Sequence, residues 1–152
     1  MDAYASHGTE CHTGAGVIRR HDNVRDSLAS LCRQAGYTAS VEDRELLGDK
    51  KRQADVYVLK YDLDKHCCID VAVVSGMDPD GIRKKEVEKR RGYLVDCENA
   101  GLRFLPFVLN SFGRLGLSAH RILNGLAYRY ADTHLISVAQ AKGRIRGIIM
   151  HL

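Results

Sequence analysis

The sequence predicts an α/β fold, in which a mixed β-sheet is flanked by helices. One observation is that short runs rich in branched and aromatic residues alternate with segments that repeat apolar residues at helical spacing. The second observation is the order of these segments: helix, strand, strand, strand, helix, strand, helix, helix. That order is typical of a mixed sheet with helices packed on it. The length of 152 residues fits one domain of this kind.

The first helix is predicted from Asp22, a good N-cap residue, to Ala35, with Gly36 placed to end it. Residues 1–18 have no apolar periodicity and are predicted to form a flexible lead-in. A strand over residues 37–42, ending at Glu42, follows the helix. The polar residues 43–53 are then expected to form a loop.

A β-hairpin is predicted next, with strands over residues 55–60 and 67–74. If its turn is centred on Asp62 and Leu63, Asp55 and Asp70 face each other across the two strands. Directly opposed side chains have Cβ atoms about 5 Å apart, so two carboxylates there repel each other unless a cation lies between them. The pattern therefore outlines a divalent-metal site. A shift of one residue in the turn would place the two side chains on opposite faces.

The second helix is expected to begin at Asp78 and Pro79 and to end at Gly101. Residues at three- and four-residue steps form one stripe along it: Ile82, Glu86, Lys89, Tyr93, Cys97 and Ala100.

The stripe is predicted to face the core, yet it contains a glutamate and a lysine. Buried charge is costly unless it is paired or used, so these two residues are candidates for a function. The alternative for Lys89 is that its aliphatic stem extends to the edge of the core. A second stripe through Val87 and Leu94 leaves the phase of the helix open.

A continuous apolar run over residues 102–109 predicts a buried strand, and Pro106 indicates an edge strand or a strand end. A helix is predicted over residues 118–130 and a last one from about Asp132, with Gly143 and Gly147 as candidate break points. The sequence thus divides into a lead-in (1–18), a core (19–130) and a C-terminal helix (131–152).

The charge is distributed unevenly, although 23 Lys and Arg against 19 Asp and Glu give a net charge of only +4. Basic residues cluster at positions 50–52, 83–91 and 142–146, which suits a polyanionic substrate held around a metal. The alternative is that these clusters are simply solvated surfaces.

The five cysteines form no Cys-x-x-Cys pair, and three of them, Cys32, Cys67 and Cys97, fall at apolar positions. They are expected to be buried thiols in a reducing compartment. The sequence also contains no apolar run long enough to cross a membrane. We therefore expect a soluble intracellular protein, nuclear or cytoplasmic, that has no membrane partner.

These features resemble the PD-(D/E)-x-K superfamily of restriction-endonuclease-like nucleases. The motif residues are Ala54-Asp55 and then Ile69-Asp70-Val71-Ala72. Ala54 stands where the superfamily usually has proline, and Ala72 stands where it usually has lysine. A replacement lysine is therefore needed.

A closer resemblance is to the C-terminal restriction-like endonuclease of site-specific non-LTR retrotransposons. Residues 20–24 (Arg-His-Asp-Asn-Val) match its Arg-His-Asn segment, and Asp55 and Asp70 match its aspartate pair. Lys89 and Tyr93 match a Lys-x-x-x-Tyr pair on the following helix. His7 and Cys11 would be the last two ligands of a zinc knuckle whose first two cysteines are missing, so zinc is not expected.

The resemblance implies hydrolysis of DNA phosphodiester bonds with Mg²⁺ or Mn²⁺. In this reading Asp55, Asp70 and the carbonyl oxygen of Val71 hold the metal, while Lys89 orients the attacking water or neutralises the transition state. Glu42 is a candidate for a further carboxylate, and Tyr93 either contacts a phosphate or packs.

Lys85, one turn before Lys89, is the rival for the role of the lysine. The residues expected to contact nucleic acid are Arg20, His21, Lys85 and Arg90. DNA is the expected partner. A reverse transcriptase domain or RNA would join it if the chain is part of a larger element, since such domains nick target DNA to prime reverse transcription.

Two other functions fit the sequence. One is a nuclease fold that has lost catalysis and binds nucleic acid through its basic helix, because the usual lysine is absent from position 72. The other is a structural or protein-interaction module, in which Asp55 and Asp70 merely cap loops.

Overall fold

The computed structural model describes residues 15–43, 54–62 and 64–151. It confirms the predicted order of elements and the α/β class. In chain order the elements are α1 (Ala15–Gln34), β1 (Ala39–Asp43), β2 (Ala54–Asp62), β3 (Lys65–Val74), α2 (Gly81–Asn99), β4 (Arg103–Asn110), α3 (Leu117–His134) and α4 (Val138–Met150).

The four strands form one mixed sheet in the order β1-β2-β3-β4. The first three strands pair antiparallel, and β4 pairs parallel to β3. A parallel neighbour requires a crossover connection, and α2 makes that crossover. Strand β3 is therefore an interior strand, hydrogen-bonded to β2 on one side and to β4 on the other.

Two hydrophobic clusters cover the two faces of the sheet. The larger cluster joins the sheet to α1, α3 and α4, and Leu28, Ile69, Phe107 and Ile122 are among its fully buried members. The smaller cluster packs α2 on the opposite face through Cys68, Cys97 and Phe104. Because successive side chains of a strand point to opposite faces, Asp70 lies on the same face as Cys68 and therefore faces α2.

The hairpin has the register that the sequence predicts next to the aspartates. Val56 pairs with Ile69 and Val58 with Cys67, so continuing the register by one residue sets Asp55 opposite Asp70. The predicted centre of the turn, between residues 62 and 63, is wrong, however. Asp62 pairs with Lys65, so the centre lies one residue later. A register shift between Val58 and Asp62 absorbs the difference.

The predicted helix starts need correction. Helix α1 begins at Ala15, seven residues before Asp22, and Asp22 lies inside it with its carboxylate 3.2 Å from the Arg25 guanidinium. Helix α2 begins at Gly81. The Asp78 carboxylate accepts a hydrogen bond from the Asp80 N–H at 2.9 Å, so Asp78 fixes the turn before the helix and does not cap it.

The C-terminal helices also differ from the prediction. Helix α3 continues to His134, and Leu135 ends it in a left-handed conformation with φ of 53°. Asp132 therefore lies within α3. Helix α4 starts after Ser137, whose hydroxyl accepts from the Gln140 N–H while the Gln140 side chain accepts from the Ser137 N–H. It continues without a break past Gly143 and Gly147.

The strand β4 lies at the edge of the sheet, as Pro106 predicted. On its outer side Asn110 N–H donates to Arg114 and Gly116 N–H donates to Val108. Residues of one parity therefore face outwards, and Pro106 belongs to that set. Since proline has no N–H, it removes one outward-facing donor and blunts the edge against pairing with another strand.

The buried thiols are confirmed for Cys32, Cys67 and Cys97, and Cys68 is buried as well. None of these four thiols is in a disulfide, and burial raises the pKa of Cys32 to about 12. Within the described ranges, none of the helices is both long enough and apolar enough to cross a membrane.

Candidate active site

Asp55 and Asp70 lie next to each other on the face of the sheet that α2 covers. The side chain of Asp70 is buried, and the residue is only 7% exposed. The two carboxyl groups are close enough that a hydrogen bond between them contributes to the pKa of each. The hairpin register therefore produces the paired carboxylates that the sequence predicts.

Lys89 reaches the pair from α2. Its Nζ lies 2.6 Å from Oδ2 of Asp70, and both side chains are almost wholly removed from solvent. Asp70 Oδ2 is fully buried, and besides the contact with the Lys89 ammonium it has no hydrogen-bond donor among the described residues. An anionic oxygen in that state retains a lone pair that a further cation could use.

Asp55 is held by two other groups. Its Oδ2 accepts a hydrogen bond from the Val71 N–H at 2.7 Å, across the hairpin. The same oxygen lies 3.3 Å from Nε2 of His21 on α1. His21 in turn lies 3.3 Å from Asp22 through Nδ1. The backbone of β3 and the start of α1 therefore fix the orientation of Asp55.

The surroundings move the pKa values of the two carboxyls in opposite directions. Burial raises the pKa of Asp70 and the nearby charge of Asp55 adds to this, while Lys89 opposes it, and the net direction is up. Burial would also raise the pKa of Asp55, but His21 and the Val71 N–H outweigh it, and the net direction is down. The pair therefore shares negative charge unequally, with Asp55 the more acidic member.

His21 is stabilised as a cation. The hydrogen bond with Asp55 is the largest cause, burial opposes it, and the pKa of His21 rises to about 9. Sequence reasoning places His21 among the nucleic-acid contacts, whereas the structure places it against Asp55. The only signal in the sequence is its place in the Arg-His-Asn segment, which does not reveal what the ring touches.

Tyr93 packs, which is one of its two predicted roles. Its ring stacks on Phe104 with 5.6 Å between the ring centroids, and Lys89 Nζ lies 5.7 Å from the centre of the same ring. The contact with the ring adds a weak cation–π attraction. Tyr93 therefore supports the position of Lys89 from one turn further along α2.

Glu86 explains the other charged position of the predicted stripe. Its Oε1 accepts a hydrogen bond from the Ser118 N–H at 3.1 Å, which is one of the unpaired donors in the first turn of α3. Carboxylates are favourable at helix N-termini. The stripe is thus confirmed as inward-facing from Ile82 to Cys97, while Ala100 is exposed. Val87 of the competing stripe is also exposed.

Glu42 lies at the end of β1, and its carboxylate pairs with Arg25 of α1. Arg25 also contacts Asp22 and Asp26. The interaction links Glu42 to the strand-helix junction beside the site, but its partner is an arginine. Its assignment as a further catalytic carboxylate stays a prediction.

Lys85 is less suited than Lys89 to the role of the lysine, because its Nζ lies 3.0 and 2.9 Å from the two oxygens of Glu88. Arg90 lines a separate cleft of about 510 Å³ with Arg103 and Arg121. Arg20 is half-buried on α1. The contacts that Lys85, Arg90 and Arg20 make with nucleic acid stay predictions.

The donor set fits a hard divalent cation. Asp55 and Asp70 supply carboxylate oxygens, which Mg²⁺ prefers, and Mg²⁺ often binds one or two carboxylates while keeping several waters. The described residues contain no group of three or more His, Cys, Asp or Glu side chains placed for a metal. The predicted knuckle ligands His7 and Cys11 lie outside the described residues.

A scan against protein-family models and a search of curated protein sequences each found no match to this chain.

Proposed function

We propose that the protein is a metal-dependent endonuclease of the PD-(D/E)-x-K type that hydrolyses DNA phosphodiester bonds. The observation that carries this proposal is that Asp55 and Asp70 lie side by side with Lys89 Nζ 2.6 Å from Asp70. Two carboxylates and a lysine on one face of a mixed α/β sheet are the residue types that this chemistry requires. Helix α2 supplies the lysine in place of Ala72.

Asp55, Asp70 and the carbonyl oxygen of Val71 are the residues that would hold Mg²⁺ or Mn²⁺. When bound, the metal lowers the pKa of a coordinated water and offsets charge on the scissile phosphate. The hydrogen bond from the Val71 N–H and the contact with His21 keep Asp55 ionised and oriented. Asp55 is therefore ready to act as a ligand before any metal arrives.

Lys89 would neutralise negative charge that develops on the phosphate, or orient the attacking water. Its ammonium is already positioned by Asp70 and by the Tyr93 ring, so little reorganisation is required. His21, with its raised pKa of about 9, adds a second positive charge near the pair at neutral pH. Together they favour binding of a polyanion at this position.

The proposed substrate is DNA, and the proposed activity is the nicking of target DNA by a retrotransposon-type endonuclease. The basic residues of α2, including Lys85 and Arg90, would contact phosphates around the cut site. Association with a reverse transcriptase domain or with RNA belongs to the same proposal.

A second candidate is a catalytically inactive nucleic-acid-binding module. It is favoured by the ion pair itself, because the Lys89 ammonium occupies the oxygen of Asp70 that a metal would need. A chain of this kind keeps salt-sensitive DNA binding without cleavage.

The test is conversion of a supercoiled plasmid to nicked or linear forms with Mg²⁺ or Mn²⁺, repeated with EDTA. We expect cleavage that requires the metal and that Asp70→Asn reduces by at least about a hundredfold, as for the loss of other groups that stabilise a transition state. Asp96→Asn, further along the chain on α2, is the matched control and should retain activity.

Intact plasmid in every metal would reject the nuclease. If DNA binding at low salt persisted in that case, the binding module would be the better account. Loss of both would leave only a structural or interaction role.

A further inference from the structure

A rigid turn at the end of β4 carries an exposed aromatic ring. Phe112 is 73% exposed. The turn beneath it is fixed by Asn110, a buried residue whose Oδ1 accepts hydrogen bonds from the N–H groups of Phe112 at 3.0 Å and Arg114 at 2.9 Å. A buried amide thus holds the backbone in one conformation while the ring remains in solvent.

The turn after β3 braces the same ring. Gly76 N–H donates to the Ser111 hydroxyl at 2.8 Å, and Ser111 N–H donates to the Val74 carbonyl at 2.9 Å. The Phe112 ring lies so close to Gly76 that a Cβ on residue 76 would overlap it. Met77, 69% exposed, follows directly. The two turns therefore form one fixed apolar prominence.

This prominence lies at the end of the sheet towards which β3 runs from the active site. Asp70 pairs with Pro106, and Val74 pairs with Asn110. Four residues of strand span about 13 Å at about 3.3 Å per residue. Since successive bases rise about 3.4 Å along a strand of DNA, a strand bound at the carboxylates reaches Phe112 within a few nucleotides.

A basic groove begins at the same turn, on the face of the sheet that α3 and α4 cover, opposite the face that carries Asp55 and Asp70. It has a volume of about 330 Å³ and runs between α3 and α4 from Gly113 towards Met150. Among the residues that the structure describes, no Asp or Glu lines it. Its apolar floor includes Leu123, Ile145 and Ile149, and its polar rim is formed by Arg114, His120, Lys142 and Arg146. This charge suits the phosphates of a nucleic-acid strand.

We propose that Phe112 and this groove, together the strand track, bind an unpaired segment of DNA that continues from the cut site round the end of the sheet. The proposal rests on the proposed nuclease function and specifies its substrate class. A base stacks on the Phe112 ring and its neighbouring phosphates lie along the basic rim, which is how sequence-tolerant single-strand binding works. Unpaired DNA is favoured because an aromatic ring can stack on a base only where the base has left its own stack.

The first arm of the test measures Kd by fluorescence anisotropy in EDTA, so that no cleavage occurs. The probes are a fully paired duplex and the same duplex with a short unpaired loop. The loss of one base–aromatic stack costs about 1–3 kcal/mol. Phe112→Ala should therefore lower the affinity for looped DNA about tenfold and leave the affinity for paired DNA unchanged. Phe112→Trp should retain binding. Val95→Ala, which removes another exposed apolar side chain, is the control.

The second arm measures how the affinity for looped DNA depends on salt. Each phosphate contact to a single strand contributes about 0.7 to the slope of log K against log salt, so the double variant Lys142→Ala/Arg146→Ala should lower the slope by about 1.4. Arg144→Ala is the matched control, because Arg144 lies on the same helix but does not line the groove.

Equal affinity of wild type and Phe112→Ala for looped DNA would overturn the strand track. An equal change of slope in the Arg144→Ala control would also overturn it. In either case, metal-dependent plasmid cleavage by the wild type would still support the proposed nuclease function. Absence of all DNA binding by the wild type at low salt would overturn both.

Discussion

At the scale of single residues, the ion pair between Asp70 and Lys89 dominates the candidate site. Both side chains are nearly removed from water, so each charge depends on the other for compensation. Removing one member of such a pair destabilises the fold by more than the intact pair stabilises it, because the remaining charge stays buried and unpaired. Asp55 adds a second negative charge beside Asp70, which strengthens this dependence.

We therefore predict that Lys89→Met lowers the free energy of unfolding by about 3 kcal/mol in EDTA. The double variant Asp70→Asn/Lys89→Met should recover part of that loss, since the uncompensated charge of Asp70 is removed as well. Lys85→Met, which breaks the more exposed pair with Glu88, should cost much less, because water screens an exposed pair. Urea denaturation measures all three. Equal effects of the two lysine variants would contradict the prediction.

Binding of a divalent metal ion should restore stability that the Lys89→Met variant has lost. With Lys89 removed, His21 still compensates Asp55 but Asp70 has lost its cation, and a ligand that binds only the folded state stabilises it. We predict that Mg²⁺ or Mn²⁺ raises the melting temperature of Lys89→Met more than that of the wild type. Calorimetric melting with and without metal measures this. An identical rise in Lys89→Met/Asp55→Asn/Asp70→Asn would assign the effect to another site.

The residues of the site differ in how far the sequence predicts them. Asp55 and Asp70 could be placed because a hairpin fixes which positions face each other, and a compensating irregularity preserved that register although the turn lies one residue later. Lys89 stood out as a charge in an apolar stripe. The contact of His21 with Asp55 could not be predicted, because it depends on α1 beginning earlier and on how α1 packs against the sheet.

At the scale of elements, α2 connects the site to the rest of the fold. One of its faces carries Lys89 to Asp70, and one turn earlier Glu86 accepts from the Ser118 N–H at the start of α3. Gly116 permits this close approach, because a Cβ there would lie 2.8 Å from Ile82 Cγ2. Two charged residues that look misplaced in the sequence are thus both paired.

Glu86→Ala should lower the free energy of unfolding by about 1 kcal/mol, because α3 loses a side-chain acceptor at its N-terminus. Glu88→Ala on the same helix is the control, since its carboxylate is exposed and bonds only Lys85 among the described residues. Its effect should be the smaller of the two, because it is a surface substitution. Chemical denaturation of both variants gives the comparison, and a Glu86 effect no larger than that of Glu88 would refute the capping role.

Helix boundaries were the least predictable feature of the elements. Asp22, Asp78 and Asp132 are all good capping residues in isolation, yet the structure uses each of them differently. Asp22 pairs with Arg25 inside α1, Asp78 orders a turn, and Asp132 lies within α3. Local propensity is a weak signal that tertiary packing overrides.

At the scale of the whole molecule, the described residues form one sheet with helices on both faces. Helix α4 is part of this core, because Ala141, Ile145 and Ile149 belong to the same buried cluster as the sheet residues. The order of elements was predictable because apolar periodicity and turn residues are local properties. The packing of α4 was not, since its partners lie far away in the sequence.

We predict that Ile145→Ala destabilises the whole domain by about 3 kcal/mol, as expected for a large-to-small change in a core. Met150 on the same helix is 76% exposed, so Met150→Ala should have little effect on the free energy of unfolding. If the active-site face and the α4 face form one cooperative unit, the substitution should lower the melting temperature of both by the same amount. Separate transitions would contradict this.

The role of Lys89 is tested most directly by single-turnover plasmid cleavage with Lys89→Ala, with Lys85→Ala as control and Ala72→Lys/Lys89→Ala as rescue. Residue 72 lies two positions after Asp70 on β3, so its side chain shares the face of the carboxylates. We predict a loss of at least about a hundredfold for Lys89→Ala, a much smaller loss for Lys85→Ala, which removes only a phosphate contact, and partial recovery when lysine is placed at position 72. Undiminished cleavage by Lys89→Ala, or an equal loss in Lys85→Ala, would contradict it.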